Sequence, residues 1–210
     1  MSLARLLSVV APPLCWGCGG PAARDGPLCP TCRSALHWLD GDPVATEGVA
    51  VWAPVAYEGP ARALVGALKF RGAPGVADYM AAAMLARAPP ALVDSSTLVP
   101  VPLDPARLRR RGFNQADRLA TAIAARSRLP AARSLSRRGG VGGAQVGRGR
   151  SDRLRRVRGS ITARGPVPAQ ALLVDDVVTT GATLTACARA LREAGTRHVA
   201  ALAYARTLGR

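Results

Sequence analysis

The stretch ALLVDDVVTTGAT, residues 171–183, decides the fold expected of this chain. Residues 171–174 are apolar on both faces, as in a strand buried within a parallel sheet. Asp175 and Asp176 follow at the strand's expected carboxyl end, which is where open α/β sheets bind their ligands. A helical pattern begins at about Ala182. The stretch therefore predicts a buried strand, a ligand-binding turn and a helix.

The turn after the two acids has a composition suited to an anion. Thr179, Thr180, Gly181, Ala182 and Thr183 place small hydroxyl residues and a glycine at the start of the helix. Backbone N–H groups and the positive end of the helix dipole favour a phosphate there. The neighbouring carboxylates can accept hydrogen bonds from sugar hydroxyls or hold Mg²⁺. The implied ligand is a phosphorylated sugar with Mg²⁺; the alternative is an acidic turn whose threonines merely cap a helix.

Four of the five cysteines form two closely spaced CxxC pairs: Cys15, Cys18, Cys29 and Cys32. This spacing fits a tetrahedral Cys₄ zinc ribbon with a structural role. Disulfides are the competing interpretation, but they need an oxidising compartment, and residues 1–14 lack the features of an export signal. We therefore expect a structural zinc and a cytoplasmic protein. The fifth cysteine, Cys187, is expected to pack in the core.

The net charge of +16 is almost entirely due to arginine, because Lys69 is the chain's lone lysine. A strong positive charge favours phosphate-rich partners, although a coding bias towards Ala, Arg, Gly and Pro would produce the same composition. Aromatic residues make up only 4%, which argues against a base-stacking platform. No apolar run approaches the roughly 18–20 residues of a membrane span.

Strand and helix patterns alternate along the chain, which predicts an α/β fold with a mainly parallel sheet flanked by helices. Besides the strand at 171–174, strands are expected at 49–57, 97–103 and 198–204, and helices at 60–70, 76–87, 116–126 and 182–194. The predicted domains are residues 1–48, an N-terminal helix and the zinc ribbon, and residues 49–210, the α/β domain. A linker is expected at 35–46.

Two further segments carry arginines that could face an anion. Residues 107–115 form a basic turn between a strand and a helix, and arginines at a helix start oppose its dipole unless an anion is present. The alternative is a solvated basic face. Residues 133–158 are rich in glycine and arginine and too poor in apolar residues to bury a core. This segment is expected to be either a functional lid or a disordered arm.

In their order along the chain, these motifs resemble the ComF/GntX family of competence-associated proteins, which are similar to type I phosphoribosyltransferases. The matching pieces are the double CxxC, YEG at 57–59, LKFRG at 68–72, VPVPL at 99–103, RGFNQ at 111–115 and DDVVTTGAT at 175–183. The resemblance covers nearly the whole chain. It implies a type I phosphoribosyltransferase fold that binds phosphoribosyl pyrophosphate (PRPP) with Mg²⁺.

The resemblance also implies roles for individual residues. Asp175 and Asp176 would contact the ribose hydroxyls or Mg²⁺, and residues 179–183 would hold the 5′-phosphate. Arg111 and Gly112 would belong to the pyrophosphate loop.

A mobile catalytic loop is implied for residues 133–158, with Gln145 and Arg153 at positions that match the family pattern. Arg148 and Arg156 depart from that pattern, since the family often has leucine and asparagine there.

Two functions fit these expectations. The chain is either a phosphoribosyltransferase, in which a nucleophile displaces pyrophosphate from C1 of the ribose, or a binding module that senses PRPP or a nucleotide. In the second case its basic surface would engage single-stranded DNA or DNA-uptake proteins. No segment indicates an acceptor-base pocket. A homo-oligomer is compatible with both functions.

Overall fold

The computed structural model describes residues 13–22, 26–71, 73, 75–94, 96–139 and 160–208. The helices are α1 (Pro30–Ser34), α2 (Gly59–Arg71), α3 (Val76–Arg87), α4 (Pro90–Val93), α5 (Pro105–Arg111), α6 (Gln115–Ser127) and α7 (Ala182–Glu193). The strands are β1 (Val44–Thr46), β2 (Val49–Trp52), β3 (Val55–Ala56), β4 (Thr97–Pro100), β5 (Leu135–Arg137), β6 (Ile161–Ala163), β7 (Gln170–Val178) and β8 (His198–Arg206). Within these ranges no helix has the length and apolar character needed to cross a bilayer.

Six strands form one sheet in the order β1-β2-β8-β7-β4, with β3 also paired to β8. All of its pairs are parallel except the antiparallel β1–β2 hairpin at one edge. A separate antiparallel hairpin joins β5 to β6. The predicted α/β fold with a mainly parallel sheet flanked by helices is therefore confirmed.

Alternation of side chains along β7 divides the core into two layers. Leu172 and Val174 pack with residues of α2, α3 and α6 on one face, whereas Ala171 and Leu173 pack with α7 on the other. The ribbon residues Cys15, Leu28 and Leu36 are buried in the first of these layers. The cysteine segment thus packs against the helical cover of the sheet.

β7 is longer than the expected strand at 171–174. It continues to Val178 because β8 remains paired beside it, with Val177 opposite Ala205 and Val178 opposite Arg206. The two acids therefore lie within the strand and not just after it. Conversely, β4 ends at Pro100, before the expected end at Leu103.

The basic turn expected at 107–115 is wrong for its first half, because residues 105–111 form α5. Pro105 occupies the first turn of α5, and the Asp104 carboxylate accepts hydrogen bonds from the N–H groups of Ala106 (3.0 Å) and Arg107 (3.3 Å). This Asp-Pro helix start is a strong signal that the run of arginines obscured. The turn itself is confined to residues 112–114.

Two other boundaries differ from expectation near the N-terminal edge of the sheet. The strand expected at 49–57 is interrupted at Pro54, which has no N–H to donate to a ladder. The expected linker ends in strand β1, which turns into β2 through Glu47 and Gly48 at φ 44° and 77°. The predicted domain boundary between residues 48 and 49 stays a prediction. Strand β1 lies before this boundary but belongs to the same sheet as the strands after it.

The segment 133–158 is only partly described. Its residues Leu135–Arg137 form β5, and Leu135 is buried, so the expectation that this segment buries no core residue is wrong there. Gln145 and Arg153 lie outside the described residues, as does the expected N-terminal helix before Pro13.

Candidate functional site

Two predicted binding segments leave the sheet from adjacent strands. β4 and β7 are parallel neighbours, with Pro100 paired to Val174. Asp175 and Asp176 follow Val174 directly, and α5 with Gly112 follows β4. Because the carboxyl ends of parallel strands meet at one edge, the acids and the Arg111-Gly112 turn converge on the edge where open α/β sheets bind ligands.

Asp176 forms one ion pair and one hydrogen bond with protein groups. Its side chain is 2% exposed, and its Oδ2 lies 2.6 Å from Nζ of Lys69, the third-last residue of α2. Gln115, at the start of α6, donates from Nε2 to Oδ1 at 3.0 Å. A carboxylate this deeply buried needs such partners, because an unpaired buried charge is strongly unfavourable.

Gln115 links Asp176 to the Arg111-Gly112 turn. Its side-chain oxygen accepts a hydrogen bond from Nη1 of Arg111, the last residue of α5. The guanidinium of Arg111 also lies over the ring of Phe70, 5.6 Å from its centroid. Burial lowers the pKa of Arg111 and the Asp176 carboxylate opposes this effect, while Arg107 and Arg110 lower the pKa further.

Asp175 occupies the opposite face of the sheet from Asp176. It lies near Cys187 of α7, and its Oδ1 accepts a hydrogen bond from the backbone N–H of Asp176 at 2.8 Å. Burial raises its pKa well above the usual range, the adjacent Asp176 raises it further, and Lys69 partly offsets both. Lys69 and Gln115 contact the carboxylate of Asp176, whereas Oδ2 of Asp175 contacts neither of these two side chains.

The threonine-rich turn has the geometry of an anion site at a helix start. Thr179 and Thr180 are exposed, and Gly181, the N-cap residue just before α7, lies in the left-handed region at φ 74°. Gly181 has no side chain to cap the first N–H groups of the helix, so these donors are available to an anion. Thr207 donates from Oγ1 to the Thr179 carbonyl at 3.3 Å, which ties the turn to the end of β8.

Gly112 gives the second turn its shape. It ends α5 at φ 80°, and its N–H donates to the Leu108 carbonyl at 2.7 Å. Asn114 then caps α6 by accepting from the N–H of Ala116 at 3.1 Å, while its Nδ2 donates to the Val101 carbonyl at 2.9 Å. These bonds hold Arg111 between the end of one helix and the start of the next.

A groove of about 870 Å³ opens beside this turn. Gly112 and Phe113 contribute to its wall, together with the outer side of α6 and the base of the β5–β6 hairpin. Its lining includes four arginines and two aspartates: Arg118, Arg133, Arg137, Arg164, Asp78 and Asp117. The volume is in the range of small-molecule sites.

The four predicted zinc ligands lie together. The Sγ atoms of Cys15, Cys18, Cys29 and Cys32 are all within 4.8 Å of one another. The Cys18–Cys29 pair is 3.8 Å apart, which equals the edge of about 3.8 Å of a tetrahedron with Zn–S bonds of about 2.3 Å. A Cβ at Gly17 would lie 2.8 Å from the Cys32 sulfur, so the knuckle requires glycine.

Backbone N–H groups near this cluster favour the thiolate form of Cys15, which is the form that binds a metal. Burial raises the pKa of Cys15, but N–H groups of Cys29, Cys18 and Gly17 outweigh it and lower the pKa to about 6. Burial and the neighbouring cysteines raise the pKa of Cys32 to about 12. The donor set thus fits a closed metal site of four sulfurs. Cys187, by contrast, is completely buried in the α7 layer, as predicted.

Sequence reasoning missed Lys69 and Gln115 as site residues. The sequence does single out Lys69, because it is the one lysine in a chain with 29 Lys and Arg residues. An arginine at this point would bring a larger, planar group into a space where Nζ makes a single short contact. Gln115 gave no comparable signal, because a glutamine at a helix start is ordinarily exposed.

Comparison with known proteins finds similar solved structures. No family model and no curated protein matches the sequence. One similar chain is the allosteric regulatory enzyme of purine biosynthesis, at 19% identity over 79% of this chain and 28% of that chain, with a TM-score of 0.38. Another is orotate phosphoribosyltransferase from Aeropyrum pernix, at 20% identity over 83% of this chain and 89% of that one, with a TM-score of 0.38.

Proposed function

We propose that this chain binds a phosphorylated ribose, with PRPP and Mg²⁺ as the ligand, at the carboxyl edge of its sheet. The observation that carries the proposal is the convergence of an acid, a helix-start anion turn and an arginine turn on the ends of adjacent strands β7 and β4. A ligand with a phosphate at one end, hydroxyls in the middle and a pyrophosphate at the other end matches this order of groups.

Each part of the site takes one part of the ligand. Residues 179–183 hold the 5′-phosphate through N–H and hydroxyl donors, and Arg111 with Gly112 faces the pyrophosphate. Asp175 accepts hydrogen bonds from ribose hydroxyls or contributes an oxygen to Mg²⁺, which commonly binds one or two carboxylates plus substrate phosphates. The metal would neutralise pyrophosphate charge, which a single arginine cannot do alone.

The proposed activity is phosphoribosyl transfer. The bond between C1 and the pyrophosphate oxygen breaks while a nucleophile bonds to C1, and both bonding electrons leave with the pyrophosphate. Arg111 would stabilise the developing charge on that leaving group. The groove beside Gly112 and Phe113 offers room for an acceptor next to the turn. Gln145 and Arg153 are proposed members of a mobile loop over the site.

A ComF-type role in competence and DNA uptake is the finer form of this proposal. Its alternative is a module that binds PRPP or a nucleotide without turnover and engages single-stranded DNA or the uptake machinery. The four arginines of the groove favour an anionic partner of this kind. Binding to single-stranded DNA should then fall steeply between low and physiological salt, and a flat response would count against this alternative.

The direct test is calorimetry of PRPP binding with and without Mg²⁺. The wild type should bind PRPP in a Mg²⁺-dependent manner, and the Asp175→Asn variant should not. Asp40→Asn is a matched control, because its carboxylate is 93% exposed. Unchanged affinity in Asp175→Asn would refute the site. Pyrophosphate release, screened against bases, nucleosides and DNA ends, then separates transfer from binding alone.

A further inference from the structure

Asp176 cannot play the same role as its neighbour Asp175. Its Oδ1 accepts a hydrogen bond from Gln115 at 3.0 Å, its Oδ2 forms an ion pair with Lys69 at 2.6 Å that lacks hydrogen-bond geometry, and its side chain is 2% exposed. At this exposure, neither oxygen is accessible to a sugar hydroxyl in the present arrangement. Alternation along β7 also directs the two acids to opposite faces of the sheet. The contacts of Asp176 therefore point inward.

The Gln115 amide can take only one orientation between its two neighbours. Its NH₂ group donates to the Asp176 carboxylate, and its oxygen accepts from the Arg111 guanidinium. The flipped amide would place an oxygen against a carboxylate and an NH₂ group against a guanidinium, and neither pair can form a hydrogen bond. The positions of Arg111 and Asp176 are therefore linked through a Gln115 amide of defined orientation.

The contacts close into a ring. Arg111 lies over Phe70, and Phe70 is the residue after Lys69, which returns to Asp176. One member of this ring ends α5, one begins α6, two lie at the end of α2 and one lies on β7. Four elements at this edge of the sheet, α2, α5, α6 and β7, therefore contribute to one connected set of side chains. Such connected networks hold their members in a defined arrangement.

We propose that this ring couples the two halves of the site, with Lys69, Gln115 and Asp176 as positioning residues that touch no ligand. The proposal rests on the proposed function and deepens it. An anion at Arg111 fixes the guanidinium, which fixes Gln115 and then Asp176. Asp176 shares its backbone with Asp175 and precedes residues 179–183. Occupation of the pyrophosphate half therefore preorganises the ribose phosphate half, and the reverse holds by linkage.

Coupling is measured by titrating ribose 5-phosphate with Mg²⁺ in the absence and presence of saturating pyrophosphate. The ratio of the two affinities is the coupling factor. Gln115→Leu removes the link while filling the same space with an apolar side chain, so the variant should bind each ligand alone. Its coupling factor should fall at least about fivefold below that of the wild type, at the lower end of typical coupling strengths. Repulsion between the two anions is the same in both proteins and cancels.

Two further variants keep the test decisive if Gln115→Leu does not fold. Phe70 is 73% exposed, so Phe70→Leu leaves the fold intact while loosening Arg111, and the coupling factor should fall. Lys69→Met/Asp176→Leu replaces both members of the ion pair by apolar groups, which buried pairs often tolerate. This variant should keep its affinity for ribose 5-phosphate and lose coupling. Arg110→Leu, an exposed arginine on the same helix, is the control and should behave as the wild type.

The outcomes are distinguishable. If the wild type binds neither ligand, the proposed function itself fails. If it binds both and the coupling factor is unchanged in Gln115→Leu and Phe70→Leu, the ring is merely structural and the inference is overturned. Loss of ribose 5-phosphate binding in Lys69→Met/Asp176→Leu, with the fold retained, would show that the pair contacts the ligand and would overturn its assignment as positioning residues.

Discussion

Thr46 of β1 lies directly on Gly181, the glycine at the start of α7. A Cβ at position 181 would lie 2.1 Å from Cγ2 of Thr46 and 3.2 Å from its Cβ. Gly181 also has φ 74°, where residues with side chains are strained. The edge hairpin thus packs against the turn at residues 179–183, and the close contact and the positive φ are two separate reasons for glycine at position 181.

Gly181→Ala should therefore weaken ligand binding and lower stability by more than backbone strain alone. Gly195→Ala is a matched control, because Gly195 has φ 108° but nothing within 4 Å of an added Cβ. Gly195→Ala should lower the free energy of unfolding by about 1–3 kcal/mol, and Gly181→Ala should lower it by more. Thr46→Ala added to Gly181→Ala should recover part of the difference. Equal urea midpoints for the two glycine variants would show that Thr46 does not constrain the turn.

The buried ion pair gives a second prediction. Lys69→Met leaves the Asp176 carboxylate buried beside a methionine, so the free energy of unfolding should fall by about 3–5 kcal/mol. Arg62→Met removes the same charge from an exposed position of the same helix and should change stability little. Chemical denaturation of both variants measures the difference.

The double variant Lys69→Met/Asp176→Leu completes this experiment. With both charges gone, no unpaired group remains, and stability should return close to that of the wild type. A double variant as unstable as Lys69→Met would mean that lost packing, and not the stranded charge, causes the effect.

The sequence predicted the parts of the site that depend on neighbouring residues. The strand, the acids and the helix start within 171–183 follow from apolar runs and turn residues, and the cysteine cluster follows from its spacing. The roles of Lys69 and Gln115 could not be predicted in this way. Gln115 and Asp176 are 61 positions apart, and their contact depends on how α6 packs against β7. The opposite directions of the two acids depended on β7 continuing through them.

The cysteine cluster predicts a distinctive pattern of thiol labelling. The native protein should contain one zinc per chain and resist alkylation, because all four clustered sulfurs would then be ligands. Chelation should expose Cys15, Cys18, Cys29 and Cys32 to the reagent. Cys187 should react only after denaturation, since burial raises its pKa and keeps it a thiol. Mass spectrometry of the alkylated protein reads out each cysteine separately.

Gly17→Ala tests the same site without touching a ligand. The added Cβ would lie 2.8 Å from the Cys32 sulfur, so this sulfur must shift and zinc affinity should drop. Gly26→Ala is the control, because an added Cβ there meets nothing within 4 Å. A protein that stays folded and zinc-free after chelation, or a Gly17→Ala variant with full zinc affinity, would contradict the ribbon.

Asp175 predicts a pH dependence of stability. Burial first, and then the adjacent Asp176 carboxylate, raise its pKa above the ordinary value of 3.8, so the folded protein holds this proton more tightly than the unfolded chain. Stability therefore falls as the pH rises from about 3.8 through the raised pKa, and the full cost persists above it. Asp175→Asn removes this contribution. It should raise the free energy of unfolding at neutral pH, and the gain should disappear near pH 4.

The measurement is a series of urea denaturations between about pH 4 and about pH 8 without Mg²⁺, comparing Asp175→Asn with the wild type. Asp40→Asn, at a side chain 93% exposed, should show no comparable gain at any pH. If Asp175→Asn is less stable than the wild type at neutral pH, the carboxylate stabilises the fold, and this prediction is wrong. A gain at neutral pH together with lost PRPP binding would mark Asp175 as a residue retained for its ligand at the expense of the fold.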